Sequence, residues 1–222
     1  MISKKSLLSF VAAGVVSISA VGVVGHHQDA QAANVGESVT VTKDSVGLRH
    51  QPYTNGSLTG QYVDKNTTWK VTDVTSDGQW YNVGADDWIA SDDVADTNSL
   101  RDTKVQQVIN EAQMQGGKPY VWGAKGPNSF DCSGLMQYVF KQALGQDIGG
   151  YTVAQESAGP KVSIDNLQPG DLMFWGSQGN SYHVALYIGN GQYIDAPKPG
   201  EGVGVHSISS YFYPSFGVRA IN

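Results

Sequence analysis

The chain holds one cysteine, Cys132, then a histidine at 183 and an aspartate twelve residues beyond it at 195. A thiolate can attack an acyl carbon, an imidazole can take and return the proton, and a carboxylate can orient the imidazole and balance its charge. These three side-chain types therefore suffice for nucleophilic acyl transfer. A lone thiol excludes a disulfide within the chain and a multi-cysteine zinc site. Cys132, His183 and Asp195 have no metal-ligand spacing, so neither metal nor cofactor is expected. Of the other histidines, His50 and His206 read as surface or packing residues, with His206 the alternative to Asp195 as third member.

A cysteine nucleophile needs an element that favours its anion. Cys132 falls in the first turn of an expected helix, where unpaired amides and the positive end of the helix dipole supply that preference. A buried structural cysteine is the competing reading. Leu135, Met136, Val139, Phe140, Ala143 and Leu144 share one face of this helix, with Asp131 as a cap before it and Gly145 ending it. Val105, Val108, Ile109 and Ala112 mark an earlier helix between Asp102 and Gly116-Gly117. Strands are expected at 171–175, 183–188, 192–196 and 217–221, and helices followed by an antiparallel sheet indicate an α+β fold. Val184, Leu186 and Ile188 must face the same core as Ile194 and Ala196. A three-residue turn at 189–191, with Gly191 left-handed, meets that demand and makes His183 and Asp195 diagonal neighbours on the opposite face. A two-residue Asn190-Gly191 turn would set Asp195 across from Leu186, among apolar groups.

Four segments carry a resemblance: Pro119-Tyr120-Val121-Trp122-Gly123, Asp131-Cys132-Ser133-Gly134-Leu135, Leu167-Gln168-Pro169-Gly170-Asp171-Leu172, and the run from His183 to Gly191. In order and spacing they resemble the motifs of NlpC-type peptidoglycan endopeptidases over roughly residues 100–222. The resemblance implies a papain-like fold that cleaves stem peptides between γ-D-glutamate and the adjacent diamino acid. It further implies Cys132 as nucleophile and His183 as the base that later protonates the leaving amine. Tyr120 would lie near the oxyanion and substrate, and Asp131 and Ser133 would contact the stem peptide's free amino end. Packing roles for Tyr120 and Trp122, and a purely capping role for Asp131, stay open. The family usually has His, sometimes Asn or Gln, where this chain has Asp195. Rival readings are an amidase of the CHAP type and a non-catalytic wall-binding or adhesive protein.

Ahead of this unit, short alternating runs separated by Asn55-Gly56, Asp64-Lys65-Asn66 and Ser76-Asp77-Gly78 indicate a small all-β barrel. Val46-Gly47-Leu48-Arg49, the Trp-rich centre and Trp88-Ile89-Ala90 resemble bacterial SH3-like domains, which implies a wall-binding module at 35–95. At least two of Trp69, Trp80 and Trp88 are expected to fill its core. The polar stretch 92–102 reads as a linker, taken at 96–102, with the catalytic unit at 103–222. Charge supports two units: residues 35–98 carry four basic and ten acidic side chains, and 99–222 carry eight and nine.

Residues 1–32 read as a signal peptide, from Lys4-Lys5 through an uncharged run to Ala30-Gln31-Ala32, with cleavage after Ala32. The whole chain of 222 residues has a net charge of -6 and no basic stretch beyond Lys4-Lys5, which excludes an electrostatic grip on nucleic acid. The expectation is a secreted bacterial protein, extracellular or bound to the cell wall, monomeric, with no stable membrane insertion after cleavage. Its partner would be peptidoglycan or muropeptide.

Overall fold

The computed structural model describes residues 32–222, so the expected leader, but for Ala32, lies outside the described residues. The described residues open with eight short strands: β1 (Ser38–Val41), β2 (Val46–Arg49), β3 (Leu58–Val63), β4 (Thr68–Lys70), β5 (Asp73–Val74), β6 (Trp80–Asn82), β7 (Trp88–Ala90) and β8 (Val94–Asp96). They form two antiparallel sheets, in the orders β4-β1-β8 and β3-β2-β7-β6-β5. Alternation of apolar and polar residues sends Val39 and Val41 of β1 and Leu48 of β2 inward to one core with Val71, Tyr81 and Ile89. That core is mainly aliphatic, contrary to the expected tryptophan filling. Trp69 packs against it partly buried, whereas Trp80 is buried outside it and Trp88 is half-buried.

The expected linker is not structureless. Residues 91–93 form a single 3-10 turn, β8 pairs antiparallel with β1, and α1 (Thr97–Met114) follows directly. Asp96 ends the strand and caps the helix, its Oδ1 accepting from the Ser99 amide at 2.7 Å. The helix therefore starts six residues before the apolar periodicity suggested, because a good cap and a strand end meet at Asp96 rather than Asp102. A hydrogen bond of 2.9 Å between the Thr40 and Thr97 hydroxyls ties β1 to the helix start.

Beyond α1 come α2 (Cys132–Leu144), the single turn α3 (Thr152–Gln155) and six strands: β9 (Lys161–Val162), β10 (Leu172–Trp175), β11 (His183–Gly189), β12 (Gln192–Asp195), β13 (Gly204–Ser207) and β14 (Phe216–Val218). The strands make one antiparallel sheet in the order β13-β12-β11-β10-β14-β9, so the expected α+β arrangement is present. Val105, Val108, Ile109 and Ala112 of α1 and Leu135, Met136, Val139 and Phe140 of α2 bury their stripes against Leu172, Phe174, Val184, Leu186 and Ile194 of the sheet. The other face of the same strands carries Met173, Trp175, Ala185 and Tyr193 in a second cluster. With both faces covered, β10 is buried at all four positions.

Asp171, just before β10, is fully buried and accepts from Arg219 Nε and Nη2 at 3.1 and 2.9 Å, with Arg101 of α1 at 3.6 Å. One carboxylate thus joins α1, the start of β10 and the chain beyond β14. Among the described residues no helix is long and apolar enough to cross a membrane.

Candidate active site

The start of α2 is built around Asp131. Its Oδ1 accepts from the Gly134 amide at 2.6 Å and the Ser133 hydroxyl at 3.1 Å, while Oδ2 accepts from the Gly123 amide at 2.8 Å. The cap therefore also holds the 119–124 segment against the helix. That contact is close enough to require glycine at 134, since a Cβ there would lie 2.1 Å from the Ala124 carbonyl oxygen. Gln155, wholly buried, donates from Nε2 to the carbonyls of Ser133 and Gly149, both at 2.8 Å. Cys132 is thereby fixed from two sides at the first helical position, 7% exposed.

His183 opens β11, and Asp195 closes β12. The hairpin between them differs from expectation. Asn190 and Gly191, with φ of 53° and 70°, form a two-residue turn in which Gly189 pairs with Gln192. The register then shifts between Tyr187 and Gly189, leaving Ile188 as a bulge, and Leu186 pairs with Ile194. The extra residue does the work assigned to a third turn residue. Ala185 consequently falls opposite Asp195, and His183 lies two positions away on the same face. His183 Nε2 and Asp195 Oδ2 are 2.7 Å apart, with both residues buried.

The second ring nitrogen of His183 is left for the thiol. Burial of the imidazole disfavours its charge. The Asp195 hydrogen bond, the interaction with Cys132 and the negative charge of both outweigh that penalty, and the His183 pKa is raised from 6.5 to about 9. An imidazolium held beside a carboxylate is the partner a thiolate requires.

A cavity of about 380 Å³ brings together Cys132, His183, Asp195 and Tyr120. Burial, with the nearby charges of Cys132 and Asp131, keeps the Tyr120 phenol above its usual pKa, so it remains a hydrogen-bond donor. Asp131 and Ser133 do not line this cavity; their polar atoms serve the helix start. His206 lines it from β13, facing Tyr193. His50 directly follows β2 and does not line the cavity.

Several lining groups escaped the motif reading. Tyr193, two residues before Asp195 and on the same strand face, is buried with its pKa pushed up to about 12 by burial and by Asp195. Phe212 belongs to the run Tyr211-Phe212-Tyr213 in a polar loop, and its ring stacks on Trp175 at 4.7 Å. Period-two alternation from Asp195 would have found Tyr193. Nothing local marks Phe212, which arrives from a distant loop.

Residues 117–221 match the NlpC/P60 family profile. Protein P54 of Enterococcus faecium is 54% identical over 111 residues, covering 50% of this chain and 21% of that protein. The gamma-DL-glutamyl hydrolase of Bacillus subtilis is 38% identical over 114 residues, covering 49% and 27%. The matched part thus spans about a quarter or less of these relatives' own length. Two solved structures of the protein RipA, one altered at a histidine and one at a glutamate twelve positions further on, are 32% and 31% identical. They cover 56% and 58% of this chain and 65% and 67% of theirs, at TM-scores of 0.50 and 0.51. The NlpC/p60 domain of the peptidoglycan hydrolase SagA is 54% identical, covers 51% of this chain and 97% of its own, and superposes with a TM-score of 0.50. A likeness that takes in nearly all of that solved domain, together with a family match at 117–221 that spans the capped cysteine and the His183–Asp195 hairpin, means that this chain belongs to the NlpC/P60 family.

Proposed function

We propose that this protein is a secreted bacterial cell-wall hydrolase that cleaves peptidoglycan stem peptides at the bond between γ-D-glutamate and the diamino acid, with Cys132 as nucleophile. The observation that carries the reading is the 2.7 Å contact of His183 Nε2 with Asp195 Oδ2 in a cavity shared with Cys132. The names of relatives, among them a peptidoglycan endopeptidase and a gamma-DL-glutamyl hydrolase, support the substrate class. That RipA structures carry alterations at a histidine and at a glutamate twelve positions on supports a carboxylate as third member here.

In this mechanism the Cys132 thiolate adds to the γ-carbonyl carbon. The resulting oxyanion draws on donors at the start of α2 and on the Tyr120 hydroxyl, and collapse breaks the C–N bond as imidazolium His183 protonates the leaving amine. Neutral His183 then takes a proton from water, which displaces the thiol from the thioester. The products are a free γ-carboxylate and the regenerated pair. Asp195 keeps one face of the imidazole occupied, so the other nitrogen stays directed to the sulfur. Tyr120, which lines the cavity, is the substrate contact proposed first; Asp131 and Ser133, bonded to each other at the helix start, are the further candidates for the stem peptide's amino end.

Residues 35–95 are proposed as an SH3-like wall-binding module, on the alternating strands and the order of their motifs. The test of the whole reading is mass analysis of purified wall and of defined muropeptides after incubation with the protein. New termini at γ-D-glutamate are expected. Release of the stem peptide from the glycan instead would replace the endopeptidase reading with an amidase.

A further inference from the structure

Asp195 is 1% exposed, and its two oxygens are not equivalent. Oδ2 is bound to His183. Oδ1 has no hydrogen-bond partner among the described residues, a costly state for a buried carboxylate oxygen. His206 Nε2 lies 3.4 Å from it, also without a partner and not aligned as a hydrogen bond. His206 sits on β13, opposite Tyr193 and diagonal to Asp195, with its side chain 39% exposed. We propose that His206 is a positioning residue for the proposed reaction, holding Asp195 through Oδ1 so that Oδ2 stays on His183.

A carboxylate with one oxygen tethered can swing about its Cβ–Cγ bond, and each swing breaks the contact that aligns the imidazole. A donor on the second oxygen removes that freedom. The groups around the pair are consistent with this division of labour. Tyr193 flanks both Asp195 and His206, and its raised pKa keeps it neutral. Lys198 and Glu201, which also line the cavity, pair with each other at 3.0 Å.

The inference rests on the proposed reaction, and its test separates the two. His206→Phe keeps ring bulk without a donor, and His206→Gln supplies an amide N–H able to reach Oδ1. For cleavage of a soluble muropeptide, kcat in His206→Phe should fall about tenfold with KM little changed, and His206→Gln should recover to within about threefold. The midpoint of His183 titration, read from its ring proton resonances, should fall in His206→Phe and stay in place in His206→Gln. Equal behaviour of both variants in this midpoint, or no shift in His206→Phe, overturns the positioning role. If the unaltered protein cleaves no muropeptide, the proposed reaction fails, and the His183 midpoint still decides the inference.

Discussion

Trp175 and His183 are partners across β10 and β11, and their rings lie 5.1 Å apart. Phe212 stacks on the indole and also reaches the imidazole, at 5.7 Å between ring centres. His183 therefore stands against aromatic rings on one side. Such packing penalises the imidazolium and, by the same loss of screening, strengthens its attraction to Asp195 and Cys132. The attractions together win, since the net shift of His183 is upward.

Activity is expected to hold through neutral pH and to fall as pH rises through about 9, where His183 loses the proton that the leaving amine needs. Asp195→Asn keeps the shape and removes the charge, so the alkaline fall should move to lower pH. Asp195→Ala removes orientation as well and should cost on the order of tenfold to a thousandfold in kcat. A pH profile in Asp195→Asn that superposes on the unaltered one contradicts the assignment.

Stability follows the same sign. His183 has a raised folded pKa, so its ion pair contributes fully below the unfolded value of about 6.5 and the contribution is lost as pH rises through about 9. The difference in Tm between unaltered protein and Asp195→Asn should be larger at about pH 6 than at about pH 10. Calorimetry at the two pH values checks this.

Cys132→Ala is expected to abolish cleavage and leave the fold intact, because Ala suits the first helical turn and the cap belongs to Asp131. Circular dichroism and product analysis on one preparation settle both halves. Measurable turnover by this variant would remove Cys132 from the mechanism.

Gly134→Ala should be destabilising even though alanine favours helices by about 1 kcal/mol over glycine. The new Cβ would lie 2.1 Å from the Ala124 carbonyl oxygen, a contact only backbone movement can relieve, and overpacking of this kind costs about 1–3 kcal/mol. The segment forced away carries Tyr120, so kcat should fall along with Tm. A variant as stable and active as the original would mean that the 119–124 segment moves freely.

Asp171→Ala leaves Arg219 and Arg101 without their shared carboxylate. Breaking a buried pair from one side costs about 3 kcal/mol or more, and the partial exposure of Arg219 places this case at the lower end. Urea unfolding should show the loss as a lower midpoint at unchanged slope.

The α2 helix and its cysteine were legible because one stripe of apolar residues, one cap and one C-terminal glycine all agree over 131–145. The pairing of His183 with Asp195 was legible from which residues must face the core. The device that achieves it was not, since a bulge and a longer turn satisfy the same burial pattern and the backbone chose the Asn190-Gly191 turn. The start of α1 was misplaced because its first two turns bury nothing on the core side, so periodicity is silent there. β9 and β13 were missed for a related reason: both are short edge strands with no fully buried residue. With β13 went the chance to see His206 beside Asp195, a contact between strands that no local pattern encodes.

The bulge at Ile188 changes what the interval between His183 and Asp195 means. Twelve residues separate His183 from Asp195, yet the ladder uses only eleven of those steps, and the remaining one is absorbed at the tip. A plain hairpin with the same two-residue turn would juxtapose the same side chains at a spacing of eleven. Pattern searches for this arrangement should therefore admit both intervals and ask which residues face each other across the ladder, since counting along the chain distinguishes two tips and not two sites.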